Sequence, residues 1–348
     1  MKVLKIQSAG VAAVVDAPTP TLRPDYVLIK NSAVALNPTD WKHIDKLAQP
    51  GATVGCDFAG TIEEVGSAVT KSFKKGDRVT GVVHGGNAVQ PEDGAFGEYL
   101  VAKANLTVKI PDGVSFEDAA TLGVGITTVG QGLYQALELP LPSSPAKEKF
   151  PILIYGGSTA TGTLAIQFAI LSGLEVYTTC SPRNFDLVKS LGAKEAFDYN
   201  SSSCGADIRA ATGNALYYVF DTISEGSSIK ISVEALSSDT SSKKAKYSNL
   251  LPVKIDRQDV EAGYTLAYTA IGEDFTMGPG GPAFQGNTKD LEFSGMFAEL
   301  AIELLGAGKF AVHPPEIREG GLEAVLQGLD DLRHNRVSGK KLVYRVGN

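Results

Sequence analysis

The octapeptide "YGGSTATG", residues 155–162, sits between the apolar run "KFPILI" and the helical stretch "TLAIQFAILSG". Glycines at a strand-to-helix turn permit a tight bend and a close backbone approach to a phosphate, whose charge the helix N-terminal amides bind. Gly156, Gly157 and Gly162 supply that turn, and Ser158, Thr159 and Thr161 add hydroxyl donors. The same letters alone also describe an ordinary turn, so the next strand matters. In a dinucleotide fold it ends beside the adenosine ribose, where an acid accepts the 2′-hydroxyl of NADH and repels the 2′-phosphate of NADPH. Here "EVYTTC" runs into "SPRN" with no acid, and Ser181, Arg183 and Asn184 are available to hold a phosphate. NADPH is the expected cofactor. These residues also read as a helix start, with Ser181 as cap, Pro182 first and Arg183 in solvent.

The elements that must position this turn follow from the pattern around it. A chain of 348 residues, 43% of them apolar, exceeds one typical domain, and two domains with separate cores are expected. Before residue 120, the runs "YVLIKNSAVAL", "FAGTIEEVGSAV", "GDRVTGVV" and "GEYLVAKANLTVKI" alternate with period two between Gly, Asp and Pro. That argues for a mostly β, partly open barrel. From Phe116, "FEDAATLGVGITTVGQGLYQAL" turns helical and rich in small residues. After "LPLPSSPAKEKFP", the strands "ILIY", "EVYTTC", "EAFDY", "ALYYVFDTI" and "KYSNLL" alternate with helices such as "NFDLVKSLGA", which means βαβ units and a parallel sheet. A Gly/Pro-rich loop "MGPGGPAFQGN", an amphipathic helix "LEFSGMFAELAIELLGAG" and a strand "KLVYRV" close the chain.

The net charge of −7 comes without a basic block, which argues against a nucleic-acid surface. No apolar run reaches the roughly 18 residues of a membrane helix. "MKVLKIQSAG" lacks the apolar core of a signal peptide, so neither a membrane nor secretion is expected, and the cytoplasm is the expected location. Cys56, Cys180 and Cys204 form no CxxC pair or disulfide framework and read as buried thiols. His43, His84, His313 and His334 show no paired ligand spacing.

Through "NPTDWK", "GCDFAGTIEEVG", "KKGDRVTG", "GAFGEYLV", "DAATLGVGITT", "YGGSTATG" and "SGKKLVY", the chain resembles, nearly end to end, the zinc-independent, quinone-reductase-like medium-chain dehydrogenases/reductases. "YGGSTATG", "TCSPRNFDLVKSLGAKEAFDY" and "LPLPSS" are similar to the stand-alone, trans-acting enoyl reductases of fungal polyketide pathways, the lovastatin type. The resemblance implies an α/β protein. A GroES-like β-rich catalytic domain would span residues 1–122, completed by 278–348, and a Rossmann doubly wound parallel-sheet domain for NADPH would span 123–277. The implied reaction is reduction of the 2,3-double bond of an acyl thioester held on the carrier domain of a polyketide synthase or hybrid synthase–peptide synthetase. A free-standing NADPH quinone or enone reductase, a recruited pathway enzyme and a non-catalytic NADPH-binding partner share the fold and stay open. The lovastatin type implies a monomer, while other zinc-independent relatives leave a dimer open.

The resemblance also implies site residues. Where alcohol dehydrogenases of the superfamily carry an early Cys and a Gly-His-Glu, this chain has Asn37 or Thr39 and Gly55, Cys56 and Asp57, and the four-Cys lobe is absent, so no zinc is expected. Thr39, Asp40, Trp41 and Lys42 match the segment near the nicotinamide end. Lys42 would stabilise charge or position water, and Asp40 would fix Lys42 or an ordered water. A surface lysine, a helix cap after Pro38 and a core tryptophan are the plainer alternatives for Lys42, Asp40 and Trp41. Gly156, Gly157, Ser158, Thr159, Ala160 and Thr161, then Ser181, Pro182, Arg183, Asn184 and Tyr199, match the cofactor's phosphate and adenosine parts. Leu250, Leu251, Val337 and Ser338 fall at further cofactor contacts. Gly123, Val124, Gly125, Ile126, Thr127, Thr128, Val129 and Gly130 match the acyl channel, with Thr127 or Thr128 able to bond the nicotinamide amide or ribose. Ala267, Tyr268, Thr269, Ala270 and Ile271 fall beside the substrate. Arg318, Arg333 and Lys340 could form a carrier-docking patch or a scattered solvated face.

Overall fold

The strand Tyr26–Ala35, in which Val27, Ile29 and Val34 are fully buried, is the spine of the β-rich half. One edge pairs antiparallel with Asp57–Val65; along the other, Tyr99–Lys103 pairs with its first half and Lys341–Arg345 with its last three residues. Arg78–Val82 and Thr107–Lys109 extend the sheet on one side and Pro315–Arg318 on the other, giving seven strands. A separate hairpin, Lys2–Ser8 with Val11–Asp16, reaches the loops around it through single bridges from Val3 to Gly97 and from Lys5 to Thr53. The C-terminal strand thus belongs to the sheet of the β-rich half. Its core includes Leu4, Ile6, Val27, Ile29, Phe58 and Phe96. The helix Gly321–Arg333 packs into the same core through Leu322, Val325 and Leu329. No element was read there, although that spacing is helical.

The computed structural model describes residues 1–241 and 243–347. Contacts divide the chain into two units, Met1–Thr127 with Tyr268–Asn348, and Thr128–Ala267. The sequence reading drew these boundaries at 122/123 and 277/278. In the second unit, six parallel strands lie in the order Glu195–Phe197, Glu175–Thr179, Pro151–Tyr155, Tyr218–Asp221, Ala245–Asn249 and Val260–Tyr264. The first three run outward from the centre in one direction and the last three in the other. The order therefore reverses between Pro151–Tyr155 and Tyr218–Asp221, and a doubly wound sheet binds ligands at the carboxyl ends of such a pair. Val260–Tyr264 was not foreseen, because "VEAGY" is a partly exposed edge strand without an apolar run.

The stretch read as one helical segment over 116–137 is three pieces: Phe116–Ala120, Gly123–Val129 and a π-helical stretch Gly130–Ala136. Gly123 is forced by packing, since a Cβ there would lie 2.2 Å from Gly81 O and 2.6 Å from Asp57 Oδ1. The Gly/Pro-rich loop carries a short hairpin, Phe275–Thr276 with Ala283–Phe284. No described helix is long and apolar enough to cross a membrane.

Candidate active site

In the second unit, the strand Pro151–Tyr155 ends at Gly156, with φ +80°, where a Cβ would come 2.6 Å from Thr222 Oγ1; at Gly157 it would come 2.0 Å from Thr178 Oγ1. Both positions require glycine. The adjacent strand fixes the turn: Gly156 N–H donates to Thr179 Oγ1 at 3.1 Å and Gly157 N–H to Thr179 O at 2.9 Å. Thr159 caps the helix Ala160–Leu171, its Oγ1 accepting the Gly162 N–H at 2.9 Å. Thr222 Oγ1 donates to Tyr155 O, so the Thr159 proton is directed to Thr222, 3.1 Å away. Thr159, expected as a phosphate donor, is therefore a cap. The half-buried Ser158 and Thr161 hydroxyls and the Ala160 and Thr161 amides remain for an anion. This glycine turn at the reversal point fits a dinucleotide pyrophosphate.

Ser181 begins a short helical turn with Pro182 at its first position, as the helix-start reading had it, but its side chain makes no cap. Its Oγ lies 3.0 Å from Tyr199 OH instead. Two residues read by separate arguments thus form one polar pair, with Arg183 exposed and Asn184 half-buried two and three residues on. Hydroxyl donors with a guanidinium suit a 2′-phosphate. Beyond the next strand, Asp221 Oδ1 accepts the N–H groups of Ile223 and Ser224, each at 2.9 Å, and Asp221 Oδ2 accepts Tyr247 OH. Ser224, at φ +57°, accepts the Leu250 N–H on its Oγ at 2.9 Å, which holds Leu250 to this turn. Asp221 was missed in the sequence, where an acid closing an apolar strand was the available sign.

In the first unit, Asn37 precedes the helix Pro38–Lys46, and Asp40 accepts the Asn37 N–H at 2.7 Å, a helix cap. Asp40 is 1% exposed, and the buried Cys56 thiol lies beside its carboxyl. Burial pushes this carboxyl up to about 7; the Asn37 bond opposes the rise and the nearby Asp57 adds to it. Side chains two residues apart leave a helix on different faces. The helix therefore does not bring Asp40 to Lys42, which is half-buried with Nζ 5.7 Å from the Trp41 ring. Trp41 packs against the first unit's core, in line with the plainer reading.

Two buried networks surround this helix start. In one, Asp57 Oδ2 meets Lys341 Nζ at 2.6 Å and accepts Asn37 Nδ2 at 2.9 Å, Lys341 donates to Asn37 Oδ1 at 2.8 Å, and Asp57 Oδ1 accepts the Val124 N–H at 2.6 Å. Asp57 so ties Asn37, the last strand and the helix beginning at Gly123. In the other, Tyr268 OH lies 2.5 Å from Thr39 Oγ1 and 3.9 Å from Cys56 Sγ. The Tyr268 ring stacks on His84 with centroids 3.8 Å apart, and His43 meets it edge-on at 5.5 Å. His43 Nδ1 lies 2.9 Å from Thr39 O. Burial lowers the pKa of both histidines and raises those of Cys56 and Tyr268, so all four are neutral near pH 7. The reading gave no role to His43, His84, Cys56 or Lys341, and only folding assembles them.

The remaining expected residues are dispersed. Thr127 Oγ1 donates to Gly123 O at 3.0 Å and so does not offer its proton to a nicotinamide amide. Thr127 and Thr128 are each 7% exposed. Gly123, Ile126 and Thr127 line an apolar pocket with Val82, Leu106 and Phe310, whereas Thr128, Val129 and Gly130 fall in the second unit. Ala267–Ile271 is a short 3-10 helix with Tyr268, Ala270 and Ile271 buried. Val337 is half-buried and Ser338 exposed ahead of the last strand. Arg318 pairs with Glu316 and Asp331, and Arg333 with Asp45 and Asp330, so these two bases do not form an uncompensated positive patch.

The donors around Cys56 and Asp57 do not fit a zinc ion. Lys341 already neutralises Asp57, and both Asp57 oxygens have donors. Among the described residues, no group of three or more His, Cys, Asp or Glu could hold a metal.

Residues 23–112 match the alcohol dehydrogenase GroES-like domain, and residues 160–241 the zinc-binding dehydrogenase family. The chain is 49% identical over 347 residues to the trans-enoyl reductase ACTTS2 of Alternaria alternata, covering 99% of this chain and 98% of that protein. It is 55% identical over 257 residues to the trans-enoyl reductase TOXD of Cochliobolus carbonum, covering 74% and 85%. Among solved structures, an alcohol dehydrogenase superfamily protein from Novosphingobium aromaticivorans superposes with a TM-score of 0.81 at 22% identity, over 100% of both chains. That last likeness speaks for the fold.

Proposed function

The chain belongs to the trans-enoyl reductase family, and on that footing we propose that it reduces the 2,3-double bond of an enoyl thioester borne by the carrier domain of a fungal polyketide or hybrid synthase, with NADPH as reductant. The observation that carries this reading is the end-to-end identity with reductases of that name. NADPH supplies the hydride for the β-carbon. The chain's own residues bind and orient. The Gly156–Gly157 turn and the helix after it receive the pyrophosphate, and Ser181, Tyr199 and Arg183 take the 2′-phosphate. The apolar pocket beside Gly123 accepts part of the acyl chain. Lys42 stabilises charge or water near the reacting end, so Lys42→Ala lowers turnover more than cofactor affinity. The reading takes the protein as a cytoplasmic monomer that meets its substrate on the synthase and needs no zinc.

The test follows NADPH consumption by the purified protein with crotonyl and longer 2-enoyl pantetheine thioesters, against simple quinones. Turnover of thioesters to saturated products is expected. Activity confined to quinones would make the protein a free-standing quinone reductase, and cofactor binding without turnover would make it a non-catalytic partner.

A further inference from the structure

We propose that the Thr39 hydroxyl is the hydrogen-bond donor to the thioester oxygen of the substrate, and that the buried Tyr268 is the positioning residue that turns its proton outward. The proposal rests on the enoyl-reductase reading and adds a role for two residues expected only to line the cofactor and the substrate.

The argument is one of proton direction. The Thr39 carbonyl oxygen can only accept, so the His43 Nδ1 that lies 2.9 Å from it carries a hydrogen. The same nitrogen is 3.3 Å from Thr39 Oγ1 and presents that hydrogen, not a lone pair, to it. His43 therefore takes no proton from the Thr39 hydroxyl. Tyr268 OH, 2.5 Å from Thr39 Oγ1, has one other hydrogen-bond partner among the described residues, Cys56 Sγ at 3.9 Å, and sulfur is a weak acceptor. The strong arrangement has the phenol donating to Thr39, because a buried hydroxyl costs free energy without a good partner. With its lone pairs receiving Tyr268 and His43, the Thr39 hydroxyl directs its own proton elsewhere. Thr39 is half-buried, whereas Tyr268, Cys56, His43 and His84 are all buried, so the outward direction is the open one. The stack on His84 and the edge contact from His43 fix the Tyr268 ring.

A donor backed by a second donor strengthens as its acceptor gains charge. That property is of little use toward a neutral carboxamide. It is of most use where hydride addition at the β-carbon moves an electron pair onto the thioester oxygen. Thr39 makes and breaks no bond in this role.

The experiment has two readouts. First, the carbonyl stretch of carbon-13-labelled butyryl-pantetheine, bound with NADP+, is measured by isotope-edited infrared spectroscopy in the wild type, Thr39→Val, Thr39→Ser and Tyr268→Phe. Second, kcat and the KM values for NADPH and crotonyl-pantetheine are measured for the same set. A lowered stretch in the wild type is expected, absent in Thr39→Val, present in Thr39→Ser and weaker in Tyr268→Phe. Thr39→Val should lose about 100-fold in kcat with the KM for NADPH held, and Thr39→Ser should restore much of that loss. Thermal melting of Tyr268→Phe, which keeps the ring stack, separates a folding defect from lost orientation. An unshifted stretch in the wild type, or a Thr39→Val that loses NADPH affinity with kcat intact, overturns the proposal, the latter by assigning Thr39 to the carboxamide. If the wild type reduces no enoyl thioester, the functional reading fails, and the carbonyl band still decides whether Thr39 donates.

Discussion

The two units place their expected site residues in opposite ways. In the second unit, nearly every expected cofactor residue sits at the carboxyl end of a strand or in the few residues after it, in short stretches of chain: 156–161, 181–184, 199 and 250–251. In the first unit, the helix start at Asn37 is completed by Cys56 and Asp57, His84, Val124, Tyr268 and Lys341, which lie far apart in the chain and meet only in the fold. Local code places the expected cofactor residues, and buried non-local polar contacts assemble the surroundings of the Asn37 helix start. The second arrangement should fail through stability and the first through affinity.

The largest expected effect is on the non-local arrangement. Asp57→Ala leaves the Lys341 ammonium buried without its partner, which costs about 3–5 kcal/mol, measured by urea unfolding. A loss within the range of an exposed pair would break the contrast. Asp40 adds a pH signature. Its folded-state pKa of about 7 stands above the usual 3.8. Between these values the unfolded state binds fewer protons, so this group makes the fold less stable as pH rises through the window and adds no further slope above it. His43 and His84, held neutral by burial, act in the opposite sense, losing stability as pH falls below the ordinary histidine range. Asp40→Asn should therefore gain in melting temperature relative to the wild type between about pH 4 and pH 7. A difference independent of pH would contradict the buried-acid assignment.

Smaller effects belong to the locally coded residues of the second unit. Arg183→Ala should weaken NADPH binding by about 10- to 100-fold, as loss of a charged hydrogen bond does, with NADH little changed. Titration of cofactor fluorescence reads both, and equal weakening would remove the 2′-phosphate role. Ser181→Ala and Tyr199→Phe should each cost several-fold in NADPH affinity, with the double variant losing less than the product of the two. Full additivity would mean that the 3.0 Å pair is not a functional unit.

This contrast also explains what the sequence disclosed. The parallel sheet, the glycine turn and the family were legible because alternation, glycine spacing and strand-end chemistry are local signals. The Ser181 ambiguity was legible but unresolved, since only the fold shows that its hydroxyl turns to Tyr199 rather than back to the helix. Asp40 was singled out, yet its cap role, its burial and its separation from Lys42 depend on the helix face that the core selects. Tyr268 lay inside an expected stretch without distinction, and the spacing of His43 and His84 carries no sign of their place in the fold. The stack of His84 on Tyr268 and the bond between Tyr268 and Thr39 join residues distant in the chain, and no pattern within a window carries them.

The most direct test of the central claim uses NADPH deuterated at the transferable position with crotonyl-pantetheine and locates the label in the product. The account predicts butyryl-pantetheine with one deuterium at the β-carbon and none at the α-carbon. Label at the α-carbon, or oxidation of the cofactor with the double bond intact, would contradict it.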